Sequence, residues 1–312
     1  MKKRVFAALT ALVITAAAAG CGSTGTSSSD AASTNAASEE ASTEASTEAS
    51  GDNTETAGET QVVTLGVVGS DKDFWIPAQE TLKDEGIDLQ FVEFSDYTTP
   101  NNALNGGDID LNAFQHEVYL NSEIAEHGYQ IQNIGYTVMS PLNLYSQKVT
   151  SVDEIKDGDV IAVPNDTTNE GRALKVLEEA GLIKLVQGDL ESPTLDDIES
   201  YNVDIKIEEL GADTVASSLP DVTAAIINGN YAVDFGLTND DAIFLDSGTQ
   251  AQQYWNLVAA RTADLSDPDK VALYDKVIKA FQQQATVDVF NDEFKGAYVA
   301  VGWDQDFLAD YK

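Results

Sequence analysis

Between residues 62 and 285 the chain alternates short runs rich in Val, Ile and Leu with stretches of helical spacing. That alternation confines the fold to the α/β class. Residues 62–69, 89–94, 159–163, 205–208, 224–227 and 255–260 read as strands, and 131–138 and 142–145 as extended segments. Helices are expected over 74–85, 101–104, 117–127, 171–180, 212–219 and 267–285. Asp267 and Pro268 supply a cap and a first-turn proline for the last of these, and Gly181 ends the fourth. A Gly106-Gly107 turn leads through 108–110 into 111–114. The β-α-β-β unit at 62–145 is followed by another set at 159–235, which predicts two α/β lobes of mostly parallel sheet with a cleft between them. The first lobe is drawn from 61–143 plus 236–312 and the second from 144–235.

The first sixty residues have no part in that core. Lys2, Lys3 and Arg4 precede an apolar run over 5–19, too short for a comfortable membrane span and suited to a signal peptide. The run ends Ala18-Ala19-Gly20-Cys21, which resembles a bacterial lipobox, with Ala18 where leucine is usual. That resemblance implies cleavage of 1–20 and lipid on Cys21, and hence a chain anchored at the extracytoplasmic face of the cell membrane. Residues 22–60 hold eight acids, no Lys or Arg, no aromatic residue and no Val, Leu or Ile. Such a segment offers nothing to offset the entropy of ordering, so an acidic linker is expected, with Ala-Ser-Thr-Glu repeated at 41–44 and 45–48.

Composition excludes several functions. With 17 Lys and Arg against 53 Asp and Glu, the net charge of −36 would repel nucleic-acid phosphates. Cys21 is the one cysteine and His116 and His127 the two histidines, so no disulfide framework or zinc or haem site is expected, and no cofactor. There is no nucleophile elbow, phosphate-binding glycine loop or His-Glu-x-x-His string, and the glycines of 66–69 do not match a dinucleotide fingerprint. A binding protein is therefore expected in preference to a secreted enzyme.

Three strings are specific. The first is Phe94-Ser95-Asp96-Tyr97-Thr98-Thr99-Pro100-Asn101-Asn102-Ala103-Leu104, followed by Gly107-Asp108-Ile109-Asp110-Leu111-Asn112-Ala113-Phe114-Gln115-His116. The second is Val163-Pro164-Asn165-Asp166-Thr167-Thr168-Asn169-Glu170-Gly171-Arg172-Ala173-Leu174, and the third Ile226-Ile227-Asn228-Gly229-Asn230-Tyr231-Ala232. In this order they resemble the methionine-binding lipoproteins of ABC importers (the MetQ/NlpA type) over roughly 61–312, with Thr167 where a proline is usual. The resemblance implies a two-lobed periplasmic-binding-protein fold with two crossovers and no catalytic residues. It implies a monomer holding a free amino acid, usually methionine, for delivery to an ABC permease and its ATPase subunits. By the same resemblance Tyr97, Phe114, His116, Asn169, Arg172 and Asn228 line the pocket.

The same residues carry a reading of their own. Arg172 and Arg261 are the two arginines after the signal, and Arg172 stands at an expected helix start behind a polar loop. A guanidinium there can hold an α-carboxylate, or can pair with one of the many acids of the body. Asn169 is the expected N-cap of that helix, with a side chain that can turn to a ligand instead. Tyr97 and Phe114 can wall an apolar pocket, where a thioether packs well on ring edges, or can be plain core. His116, two residues beyond Phe114, can hydrogen-bond a ligand or cap a helix. Asn228 ends a strand, where ligands of open α/β sheets bind, and Asn228-Gly229 is also a turn signal; Asn230 competes with it. Trp75 is a further candidate for a pocket wall, Tyr145 for a hinge residue or a pocket edge, and His127 is read as a helix-end residue.

Overall fold

The computed structural model describes residues 60–188, 190–247 and 251–312, so Cys21, the signal and the linker lie outside the described residues. In chain order the strands are β1 Gln61–Val68, β2 Ile87–Phe94, β3 Leu111–Asn112, β4 Ile131–Met139, β5 Leu142–Tyr145, β6 Val160–Pro164 and β7 Ile183–Leu185. They continue with β8 Ile198–Tyr201, β9 Lys206–Leu210, β10 Ala224–Asn228, β11 Ala242–Phe244, β12 Trp255–Arg261 and β13 Val299–Ala300. The helices are α1 Ile76–Asp84, α2 Pro100–Gly106, α3 Glu117–His127, α4 Thr167–Glu179, α5 Ala212–Val215, α6 Gly229–Asp234, α7 Pro268–Phe281 and α8 Gln284–Asp292.

Two sheets make the two lobes. One runs β13-β4-β12-β3-β1-β2 and the other β11-β5-β10-β6-β9, with β7 and β8 as a separate hairpin. β1, with Val63, Leu65, Val67 and Val68 all at 0% exposure, lies parallel between β2 and β3. Its continuous apolar run is what a strand covered on both faces requires. One face of its sheet packs on α1, α7 and α8, where Phe74, Phe281, Phe290, Phe294 and Tyr298 pack edge to face or tilted. In the second sheet, α4 covers one face, with Leu174 and Leu177 against Ile161, Val163 and Ile226.

The sheets are mixed, not mostly parallel. β4, β5, β11 and β12 carry the chain between the lobes without a crossover helix to return it in the same direction, and each pairs antiparallel with its neighbours. Strand pairing also takes β5 and β11 into the second sheet, beyond the limits of 144 and 235 drawn from sequence. α4 begins at Thr167, four residues before the expected start. Asp166 is its N-cap, accepting from the Asn169 backbone N–H at 3.0 Å, so Asn169 sits in the first turn and is not the cap. Thr167 is thus the first helical residue, where proline's fixed φ is equally at home, and the departure from the family string costs the helix nothing. The expected helix over 267–285 breaks at Gln283, whose backbone is extended, into α7 and α8.

Candidate ligand cleft between the lobes

The cleft lies at the carboxyl ends of β1 and β3 in one lobe and β6 and β10 in the other. All six residues singled out from sequence line it. Phe114 and His116 follow β3 on a segment held by the Leu257 N–H bond to the Gln115 carbonyl (3.0 Å) and by a bridge between His116 and Asn256. Behind that segment Asn101, Asn112 and Gln115 interlock through carboxamide bonds of 2.7–3.0 Å at no more than 3% exposure. A satisfied buried amide network of this kind fixes one arrangement of the segment above it, which is the local reason for that polar string.

His116 caps α3. Its Nδ1 accepts from the Tyr119 N–H at 3.1 Å, so the neutral ring carries its proton on Nε2, which faces Asn169 Oδ1 at 3.3 Å. Asn169 Oδ1 also accepts from Asn228 Nδ2 at 3.0 Å, and its own Nδ2 donates to both oxygens of Asp166 at 3.0 and 3.1 Å. Asn169 thereby joins His116 of the first lobe to Asn228 of the second. Burial, and then the Arg172 charge, lower the His116 pKa to about 3, against the raising effect of the Asn169 bond. The sign follows from that direction. The unfolded chain binds the proton from about pH 6.5 downward while the native ring stays neutral, so this contribution is complete above pH 6.5 and is lost on acidification toward pH 3. Relative to a His116→Asn variant, the protein should lose on the order of 1 kcal/mol per pH unit below pH 6, read by denaturant titration.

Arg172 is 2% exposed. Its Nη2 donates to the Ser140 carbonyl and to Asp246 Oδ2, both at 2.8 Å, and its guanidinium lies 5.1 Å from the Tyr254 ring centroid. Asp246, its side chain fully buried, also accepts from the Leu142 N–H. Of the two roles left open by sequence, pairing with an acid is present, on a residue that also borders the cleft.

Tyr97, Phe114, Tyr119 and Tyr231 form an aromatic wall with ring centroids 5.0–6.1 Å apart. Tyr97 Oη donates to Asn230 Oδ1 at 2.5 Å, and Tyr231 Oη to the Ser95 carbonyl at 3.0 Å. Ser70 N–H reaches Asp234 Oδ1 at 3.0 Å. These bonds, with His116–Asn169, draw the lobes together across the cleft.

Asn228 and Asn230 both line the cleft, and each keeps one buried amide atom without a hydrogen bond, Oδ1 of Asn228 and Nδ2 of Asn230. Asn228-Gly229 opens α6 and does not make a turn. Gly229 is required for close approach: a Cβ there would stand 2.4 Å from Ser140 Oγ and 3.2 Å from the Pro141 carbonyl. Gly229→Ala should destabilise by about 1–3 kcal/mol and displace the Ser140 carbonyl that Arg172 uses, both readable by denaturation and ligand titration.

Trp75 is in the core at 0% exposure, its ring centroid 4.2 Å from that of Phe281, and Tyr145 ends β5 inside the second sheet, paired with Ala225 and in one buried cluster with Ile227, so neither is a wall of the cleft. His127 ends α3 beside Gly128 and faces Glu123 at 3.6 Å. Sequence reasoning passed over Asp71, Tyr119, Ser140 and Asn256, which also line the cleft. Asp71 had one usable signal, its place just beyond β1.

Fold and cleft together define a two-lobed solute-binding protein. A model of the NlpA lipoprotein family matches residues 63–302, and the chain belongs to that family. It is 40% identical to the D-methionine-binding lipoprotein MetQ of Salmonella typhi over 241 residues, 76% of this chain and 86% of the relative. The nutrient-binding protein of Burkholderia cenocepacia, solved bound to methionine, aligns with TM-score 0.72 and 39% identity over 77% of this chain and 99% of that one. The substrate-binding protein of a Streptococcus pneumoniae methionine transporter aligns with TM-score 0.73 and 35% identity over 77% and 95%.

Proposed function

We propose that the protein is the extracytoplasmic binding lipoprotein of an ABC importer, taking a free amino acid, methionine, between its lobes and presenting it to the permease. The observation that carries this reading is the convergence of Tyr97, Phe114, His116, Asn169, Arg172 and Asn228, drawn from both lobes, on one cleft. Arg172 serves the α-carboxylate, the aromatic wall takes the thioether chain, and Asn169 and Asn228 orient the polar end. Because the ligand touches both lobes, it stabilises the closed form, and the permease with its ATPase subunits reads that form. The lobes are 60–141 with 251–312, and 142–247. The protein acts as a monomer, anchored through lipid on Cys21, with the acidic linker holding the lobes off the membrane, and it performs no catalysis. Mass spectrometry of small molecules released from natively purified protein tests the reading. Methionine is expected, and an unrelated solute would overturn the ligand assignment.

A further inference from the structure

The cleft contains a carboxylate that neither the sequence strings nor the interlobe bonds account for. Asp71 lies in the 3-10 turn Gly69–Trp75, directly beyond β1, at 4% exposure and on the cleft lining. Among the described residues its side chain makes no hydrogen bond or ion pair. The other charges of the cleft do not serve it. Arg172 is matched by Asp246 at 2.8 Å, and His116 is neutral. The neighbouring charge from the second lobe, Asp234, is of like sign, and its Oδ1 is engaged by the Ser70 N–H. Burial first, and then Asp234, push the Asp71 carboxyl well above the usual range, as for a carboxylate with no counter-charge among the described residues. A second acceptor stands on the same cleft: Asn228 Oδ1, on a residue 8% exposed, has no donor. A buried acid and a buried amide oxygen, both wanting donors, match a group that brings several N–H bonds and a positive charge.

We propose that Asp71 is the specificity residue for the ligand's α-ammonium group, acting with Asn228 Oδ1, so that the cleft selects α-amino acids over the corresponding carboxylic acids without the amino group. Arg172 and Asp71 then form the two poles that a zwitterion bridges. The inference rests on the amino-acid reading above and adds to it which atom discriminates the amino group. Asp71→Asn keeps the shape and removes the charge, and since the Asp71 side chain holds no bond among the described residues, the substitution breaks none there.

The test is calorimetric titration of the purified protein and its Asp71→Asn variant with methionine and with 4-(methylthio)butanoic acid, the same molecule without its amino group, alongside melting of both proteins without added ligand. Wild type should prefer methionine by more than about tenfold, the scale of a charge-assisted bond. Asp71→Asn should lose at least about tenfold for methionine, bind the des-amino acid as well as or better than wild type, and melt no lower than wild type. Equal weakening toward both ligands, unchanged affinity for methionine, or a lower melting temperature would overturn the assignment while leaving the amino-acid reading in place. Failure of wild type to bind methionine or any other amino acid would overturn that reading, and this inference with it.

Discussion

Arg172→Ala is expected to lower amino-acid affinity by well over tenfold and to destabilise the protein by about 3–5 kcal/mol. The two losses have different origins. Affinity falls, on the function proposed above, because the cleft loses the group assigned to the ligand carboxylate, a charge-assisted pair at a buried site. Stability falls because Asp246, whose side chain is fully buried, loses the guanidinium 2.8 Å away. The double variant Arg172→Ala/Asp246→Asn separates them. Stability should largely return, because no buried charge is left uncompensated, while binding should not. Denaturant titration and calorimetry read the two quantities independently. Retention of tight binding in the single variant would show that the carboxylate is held elsewhere.

The second large effect belongs to Asn169. Its side chain accepts from Asn228 Nδ2, faces His116 Nε2 and donates to Asp166. Asn169→Ala leaves a buried imidazole N–H and a buried amide without partners, at about 1–3 kcal/mol for each group. A stability loss of about 2–4 kcal/mol is therefore expected, with at least a tenfold loss of affinity as His116 and Asn228 lose their common anchor. Asn169→Asp is the informative partner. It keeps an acceptor for both donors but sets a second carboxylate against Asp166, whose carboxyl burial already pushes up. It should be no better tolerated than alanine. An Asn169→Asp variant as stable as wild type would mean that the amide is turned the other way round.

Residue strings and strand ends made much of this legible in advance. The six cleft residues were found because three long strings matched a family; Asn228 also stands at a strand end, where open α/β sheets place ligands, and Arg172 was marked by an expected helix start that the structure moves back to Thr167. What escaped is what depends on distant pairing. Nothing near Arg172 in sequence points to Asp246, 74 residues on, or to the carbonyl of Ser140. The first turn of α4 was hidden because Thr167–Glu170 is polar and shows no apolar period, although the Asp166 cap was there to be read. The Gln283 break falls inside an unbroken helical pattern, so only tertiary packing reveals it. Asp71 belongs to none of the strings; its place just beyond β1 was the one sequence signal, and its burial without a partner among the described residues is what marks it.

The central claim is that one amino acid is held between the lobes. The most direct measurement is calorimetric titration of L- and D-methionine into protein refolded from denaturant, so that any ligand carried through purification has been removed. The account predicts saturable binding at one molecule per chain, with a melting temperature that rises with ligand concentration. No binding of either enantiomer, nor of any other apolar amino acid, would contradict it.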